Sequence, residues 1–188
     1  MSSAFSKLDL WDRKISGKIA EKSTKILVLA KFFATSGNGQ PWFIASVLFF
    51  IFDIFMTRSE NFVIFVSIML TGLFNLILKQ LINRTRPNEE ESRNYVTQLD
   101  FKAFPSGHAC RMGAMAVLMV LFFPRIGWLF AIWAIAVGYG RIALELHYFL
   151  DVVGGTVVGA TVASLGYILY SRIAPLIEPL IAWFPQVF

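Results

Sequence analysis

A single cysteine, Cys110, in 188 residues excludes an internal disulfide, so thiols reveal nothing about redox compartment. Charge is scarce as well: Asp, Glu, Lys and Arg make up 15% of the chain, against about 25% in ordinary soluble domains. Together with 56% apolar and 15% aromatic residues, that scarcity excludes a typical water-facing surface and reads as a membrane composition. Acids are fewer than bases, and the formal charge is +5. Nucleic acid does not explain this excess, because the cations interrupt apolar runs; that placement points to a membrane surface or an anionic lipid. No low-complexity segment and no fixed-period repeat is present. The first 25 residues are polar and rich in lysine, without the apolar core of a cleavable signal peptide, so none is expected.

The apolar residues that dominate instead are arranged in spans. The expected fold is all-α, an integral membrane helical bundle of about five transmembrane helices plus an N-terminal amphipathic interfacial helix, in a single domain over 1–188. Phe5, Leu8, Trp11, Ile15 and Ile19 recur at helical spacing with Lys7, Lys14, Lys18 and Lys25 largely elsewhere on the wheel, which predicts a helix lying on the bilayer. The run from Ile26 to Thr35 contains Lys31 and is too short to cross, so it reads as a continuation of an interfacial segment over 1–40. Ser36–Gln40 is a turn. The bundle is expected over 41–172, with spans at about Pro41–Thr57, Asn61–Asn83, Gly107–Pro124, Ile126–Gly140 and Tyr148–Tyr170. A tail over 173–188, with Pro175, Pro179 and Pro185, is expected at the interface. Gly155, Gly159 and Ala163 recur every four residues, which predicts close helix packing inside the bundle.

The polar stretch Phe101–Arg111, FKAFPSGHACR, interrupts these spans and places a histidine between them. With five crossings, the loop it belongs to, the N-terminal segment and the loop 141–147 fall on one side of the membrane. Lys79 and Arg86, seven residues apart, would lie within about 20° of one another on a helix that Pro87 closes, two cations on one stripe. Pro105 and Ser106 suit a helix start, with Gly107 and His108 in a first turn whose free N–H groups favour an anion. His147 and Asp151, at i and i+4, can form an imidazole oriented by a carboxylate, with Arg141 close by. Ionisable pairs inside a membrane are costly and mark function. Phosphoryl transfer fits this set: cations neutralise phosphate oxygens, one histidine attacks phosphorus and the other protonates the leaving oxygen. Two histidines without a cluster of carboxylates suit a binuclear metal poorly, so no metal and no cofactor is expected.

Lys79–Pro87 (KQLINRTRP), Pro105–His108 (PSGH) and Arg141–Asp151 (RIALELHYFLD) resemble the three-part signature of the type 2 phosphatidic acid phosphatase family, whose soluble relatives include bacterial class A acid phosphatases and vanadium haloperoxidases. The resemblance implies that His147 is a nucleophile forming phosphohistidine, Asp151 its orienting acid and His108 the general acid. It also implies that Lys79, Arg86, Ser106, Gly107 and Arg141 hold the phosphate. Gly140 departs from the pattern, standing where the family usually has serine, and Arg111 is an added charge that is a candidate contact for a second phosphate or a headgroup.

The reading is therefore a membrane lipid phosphatase in the cell's inner or plasma membrane, working on phosphatidic acid, phosphatidylglycerol phosphate or a polyprenyl mono- or diphosphate. Its expected partners are that lipid and the bilayer, with no nucleic acid and no obligate protein partner. The alternatives are a lipid-linked phosphotransferase and a non-catalytic phospholipid-binding member of the fold. Of the 17 Lys and Arg, only Arg58, Arg125 and Arg172 fall opposite the site, which favours a cytoplasmic site by the positive-inside rule. Asp53 is expected at the far interface, Asn75 to hydrogen-bond in the bundle or support Lys79, and Glu89–Glu91 to be solvated loop.

Overall fold

The computed structural model describes residues 3–56, 60–92 and 101–183. Arg58, the loop 93–100 and residues 184–188 of the expected tail lie outside these, as does the Asp53 side chain. Among the described residues the chain is helical, without strands: α1 (Ser3–Lys22), a 3-10 turn (Thr24–Ile26), α2 (Leu27–Ser36), α3 (Gly39–Met56), α4 (Glu60–Leu81), α5 (Glu89–Ser92), α6 (Gly107–Phe122), α7 (Pro124–Ala143) and α8 (Phe149–Trp183).

Five of these, α3, α4, α6, α7 and α8, stand where spans were expected. α4, α7 and α8 as far as Leu176 are each long and apolar enough to cross a bilayer. The 16 residues of α6 reach only about 24 Å at 1.5 Å per residue, short of the roughly 30 Å of hydrocarbon. That length suits its place, because α6 is the hub: α4, α7 and α8 pack around it and residues such as Cys110, Met112, Ala114 and Leu118 are wholly or almost wholly buried.

Small residues allow this closeness. A Cβ on Gly113 would stand 2.8 Å from the Thr156 carbonyl oxygen, and one on Gly155 2.6 Å from that of Ser106. Gly159 likewise lies against the Cys110 carbonyl and Ala163 is fully buried, so the four-residue row seats α8 on α6 inside the bundle, as expected. Away from the site, Val63, Ile64 and Ile68 of α4 close the apolar core with Met115, Leu118 and Ala163.

Polarity is inverted relative to a soluble bundle. The inward face of α4 carries Ser67, Thr71, Asn75 and Lys79, all buried, while Phe74, Ile77, Ile132, Ile135, Val157 and Leu165 are exposed. Those outward side chains match acyl chains, and the inward polar ones find partners within the protein.

Four boundaries differ from the sequence reading. α4 stops at Leu81, so Arg86 is not on a helical stripe with Lys79; as the residue before Pro87 it is disfavoured in a helix, and the extended strap it sits in pairs with the chain at Ala103, whose N–H donates to the Arg84 carbonyl at 2.9 Å. α7 continues to Ala143 and takes in Arg141. α2 is a helix of its own, burying Ala30 and Ala34, since Gly140 of α7 lets its backbone approach. α8 runs on through Pro175 and Pro179 to Trp183, past the expected end at Tyr170.

Candidate active site

Three loops meet at one end of the bundle. Besides the Ala103–Arg84 bond, the Asn88 N–H donates to the Glu145 carbonyl at 3.2 Å and the Ser106 N–H to the Asp151 carbonyl at 2.9 Å. Cations staple the assembly. Arg86 donates from Nε to the Phe101 carbonyl at 2.8 Å and from Nη1 to the Leu146 carbonyl at 3.0 Å, and Lys79 Nζ donates to the Lys102 carbonyl. Asn75 donates from Nδ2 to the Pro105 carbonyl at 3.0 Å, so it hydrogen-bonds in the bundle and holds the Pro105–His108 turn.

The end of α7 aims the chain at the site. Glu145 takes a left-handed φ of 53°, its N–H donates to the Ile142 carbonyl at 2.9 Å and that of Leu146 to the Arg141 carbonyl at 3.0 Å. This is the Schellman closure of a helix, and it folds the chain back so that His147 N–H also reaches the Arg141 carbonyl, at 3.3 Å. Arg141 and His147 are thereby brought together six residues apart.

His147 is 1% exposed. Arg86 Nη1 lies 3.2 Å from its Nε2; because a guanidinium can only donate, Nε2 is the acceptor and carries the lone pair. The neutral ring then holds its proton on Nδ1, which faces Asp151 Oδ2 at 3.7 Å. That distance orients the ring without a closed hydrogen bond, and Nδ1 has no hydrogen-bond partner among the described residues. Burial first, then the charges of Arg86, Arg141 and Lys79, hold the imidazole well below its ordinary pKa of 6.5, with His108 adding to the effect. Both effects favour the neutral ring.

His108 begins α6 in its first turn, as the Pro105–Ser106 signal predicts, and Ser106 is the N-cap residue. The Ser106 side chain makes no cap bond, and its buried Oγ has no hydrogen-bond partner among the described residues. His108 Nε2 stands 2.8 Å from Asn38 Oδ1, so Nε2 donates, and the buried Nδ1 has no hydrogen-bond partner among the described residues. Arg111 reaches the same α2–α3 turn, Nη2 donating to the Gly37 carbonyl at 3.3 Å.

The predicted residues thus come together. Lys79, Arg86, Ser106, His108, Arg141, His147 and Asp151 are all 4% exposed or less, with Gly107 buried beside them, while Arg111 is half-buried at the rim. Glu89 and Glu90 are exposed. Gly140 has a packing reason: a Cβ there would lie 2.5 Å from the Ala30 carbonyl and 2.9 Å from Ala34 N, so the serine of the family pattern does not fit against α2. Among the described residues no group of three His, Cys, Asp or Glu side chains is placed to hold a metal ion.

Sequence reasoning missed Asn38, Arg84, Asp9 and Asp12. Arg84 donates to Asp151 Oδ1 at 2.6 Å, to Asp12 Oδ2 at 2.6 Å and to Asp9 Oδ1 at 2.9 Å. Burial opposes its charge, yet Asp151 and Asp12 beside it keep the guanidinium well above even its ordinary range. A signal for these residues was present: Asp9, Asp12 and Ser16 form an acidic, small-residue stripe on a helix otherwise rich in lysine.

The sequence model described as the PAP2 superfamily matches residues 61–174. A lipid A 1-phosphatase from Rhizobium etli is 31% identical over 115 residues, 58% of this chain and 50% of the relative. An undecaprenyl-diphosphatase from Sulfolobus acidocaldarius is 26% identical over 141 residues, 73% of this chain and 67% of the relative. The chain spans about half the length of the lipid A phosphatase relatives it matches. In fold it is similar to the crystal structure of a PAP2 type phosphatidylglycerolphosphate phosphatase from Bacillus subtilis, with TM-score 0.72 and 20% identity over 92% of this chain and 89% of that one. LpxE from Aquifex aeolicus gives a TM-score of 0.67 at 22% identity over 82% of this chain and 93% of that one.

Proposed function

Since the chain belongs to the PAP2 superfamily, we propose that it is a membrane lipid phosphatase, removing a terminal phosphate from a phospholipid or a polyprenyl (di)phosphate through a phosphohistidine on His147. The observation that carries this reading is the pairing of Arg86 Nη1 with His147 Nε2 at 3.2 Å, which directs the lone pair of a buried imidazole at the place where a cation would hold a phosphate oxygen. The Nε2 lone pair attacks phosphorus as the bond from phosphorus to the lipid oxygen breaks, and His108, entering the step as an imidazolium with its Nε2–H on Asn38, gives that oxygen its Nδ1 proton. Water then attacks phosphorus, His108 takes its proton, and the N–P bond breaks to release phosphate and restore His147. Lys79, Arg86 and Arg141, with Ser106 and the backbone at Gly107, spread the charge of the equatorial oxygens. Asp151 stabilises the positive charge that grows on the ring.

The cations supply the charge stabilisation, and the reaction is proposed to be metal-independent. The charge bias of the loops favours a site on the cytoplasmic face. The test is phosphate release in detergent with chelator present, over phosphatidic acid, phosphatidylglycerol phosphate, a lipid A phosphate and a polyprenyl diphosphate, beside His147→Ala. Activity on at least one lipid that the substitution lowers by about 10³-fold or more is expected. Loss of activity with chelator, or its survival in His147→Ala, overturns the mechanism.

A further inference from the structure

α1 carries an apolar stripe, yet among its described side chains the buried ones are polar: Asp12 at 0% and Ser16 at 6% exposure, while Leu8 and Trp11 face outward at 49% and 46%. What receives them is the start of α8. Asp12 Oδ1 accepts from Leu150 N at 2.9 Å and Ser16 Oγ from Phe149 N at 2.9 Å. Asp151 Oδ2 accepts from Tyr148 N at 2.8 Å. These are amides at the head of α8 that no helical carbonyl can reach. The first turn of α8 is therefore capped by its own Asp151 and by two side chains from the opposite end of the chain.

Arg84 closes the arrangement. It bridges Asp151 Oδ1 and Asp12 Oδ2, each at 2.6 Å, touches Asp9, and lies 4.5 Å from the centroid of the Tyr148 ring. Both oxygens of Asp151 are thus engaged, one by Arg84 and one by the Tyr148 amide. Neither can turn away without losing a bond, so the carboxylate edge stays 3.7 Å from His147 Nδ1. Without the guanidinium, two carboxylates that are 0% exposed, Asp12 and Asp151, would face one another as like charges.

We propose that Arg84 and Asp12 are positioning residues for the His147–Asp151 pair, so that the docking of α1 on α8 sets the reactivity of the nucleophile. Neither touches substrate; both act through Asp151. The inference rests on His147 being the nucleophile.

The test is steady-state hydrolysis of phosphatidic acid, or whichever lipid the panel above identifies, by the full-length protein in detergent. The variants are Arg84→Met, Arg84→Lys, Asp12→Asn and the double variant Arg84→Met with Asp12→Asn, with His147→Asn alongside. Loss of a group that supports a catalytic residue predicts a fall in kcat of roughly 10- to 100-fold for Arg84→Met, with KM changed by less than about twofold, as for an interaction felt in the transition state alone. Arg84→Lys restores the charge without the bridging fork and recovers part of the rate. The double variant loses little more than Arg84→Met, because the two residues act on one carboxylate. Should Arg84→Met fail to fold, Arg84→Lys and Asp12→Asn carry the test, each with kcat lowered roughly threefold or more at constant KM.

Wild-type kcat in those variants, or a loss expressed in KM or in the melting temperature alone, overturns the inference. Activity surviving in His147→Asn overturns the reading it rests on. An inactive His147→Asn beside fully active Arg84 and Asp12 variants sinks only the present proposal.

Discussion

Arg86 donates from Nη1 toward Nε2 of His147 at 3.2 Å, and this one contact fixes which nitrogen of the buried ring holds a lone pair. A cation against a neutral imidazole also resists its protonation, in the same sense as burial. The ring's pKa is therefore depressed below 6.5.

The first prediction concerns pH. A histidine with a depressed folded value is neutral in both folded and unfolded chains above about 6.5; as pH falls below that, the unfolded chain takes up a proton that the fold refuses. Stability is expected to decline from about pH 6.5 downward until the depressed value is reached. The acid limb of kcat/KM that belongs to this group is expected below 6.5 too, since that ratio reports the free enzyme. A profile from pH 4.5 to 8, corrected for the second ionisation of the phosphate substrate, checks both; an acid limb of His147 at or above 6.5 contradicts the geometry.

The second separates the two histidines. If His108 protonates the leaving oxygen, His108→Ala slows single-turnover release of the alcohol from a lipid alkyl phosphate by roughly 10²- to 10⁴-fold but far less the burst of phenol from an aryl phosphate, whose leaving group needs no proton; steady-state turnover falls on both, because the same ring takes the proton of water. Asn38→Ala, which removes the acceptor at His108 Nε2, follows the same pattern with a smaller loss, on the order of 10-fold. Equal losses in that first step on both substrates refute the assignment to His108. An unchanged Asn38→Ala shows that the amide does not align the ring, and a faster one that it obstructs it.

The third is structural. Gly140→Ser places a Cβ against the Ala30 carbonyl and Ala34 N, so α2 must move off α7 at a cost of about 1–3 kcal/mol. A lower melting temperature in detergent is expected. A melting temperature equal to that of the native chain means that α2 is not held there.

The fourth fixes the membrane face. Single cysteines introduced in the loop 93–100 are expected to react with an impermeant thiol reagent only after cells are opened. Labelling of intact cells puts the site outside and removes the charge-bias argument.

Much of this arrangement was legible in one sequence because it rests on local rules. Pro105 and Ser106 announce a helix, and α6 does begin at Gly107. Gly155, Gly159 and Ala163 announce close packing, and α8 lies on α6 through them. His147 and Asp151 were paired by spacing alone, although the pair sits across the first turn of α8 and not within it. What could not be read were bonds between distant parts of the chain. Asn38 finds His108 across 70 positions and Arg84 finds Asp12 across 72; each looks unremarkable beside its own neighbours. Arg86 was assigned to a helical stripe because 100° periodicity was extended up to Pro87, whereas α4 already ends at Leu81 and Arg86, the residue before Pro87, has the non-helical backbone that position favours.

The bond from Leu150 N to Asp12 spans 138 positions, which has a consequence for biogenesis. α1 is made before the helix end that it caps. Until then Asp12 and Ser16 lack the Leu150 and Phe149 amides that they cap. The His147–Asp151 pair is complete only once the start of α8 has been made, so a chain cut before Phe149 carries Lys79, Arg86, Arg141 and both histidines but lacks the carboxylate beside His147.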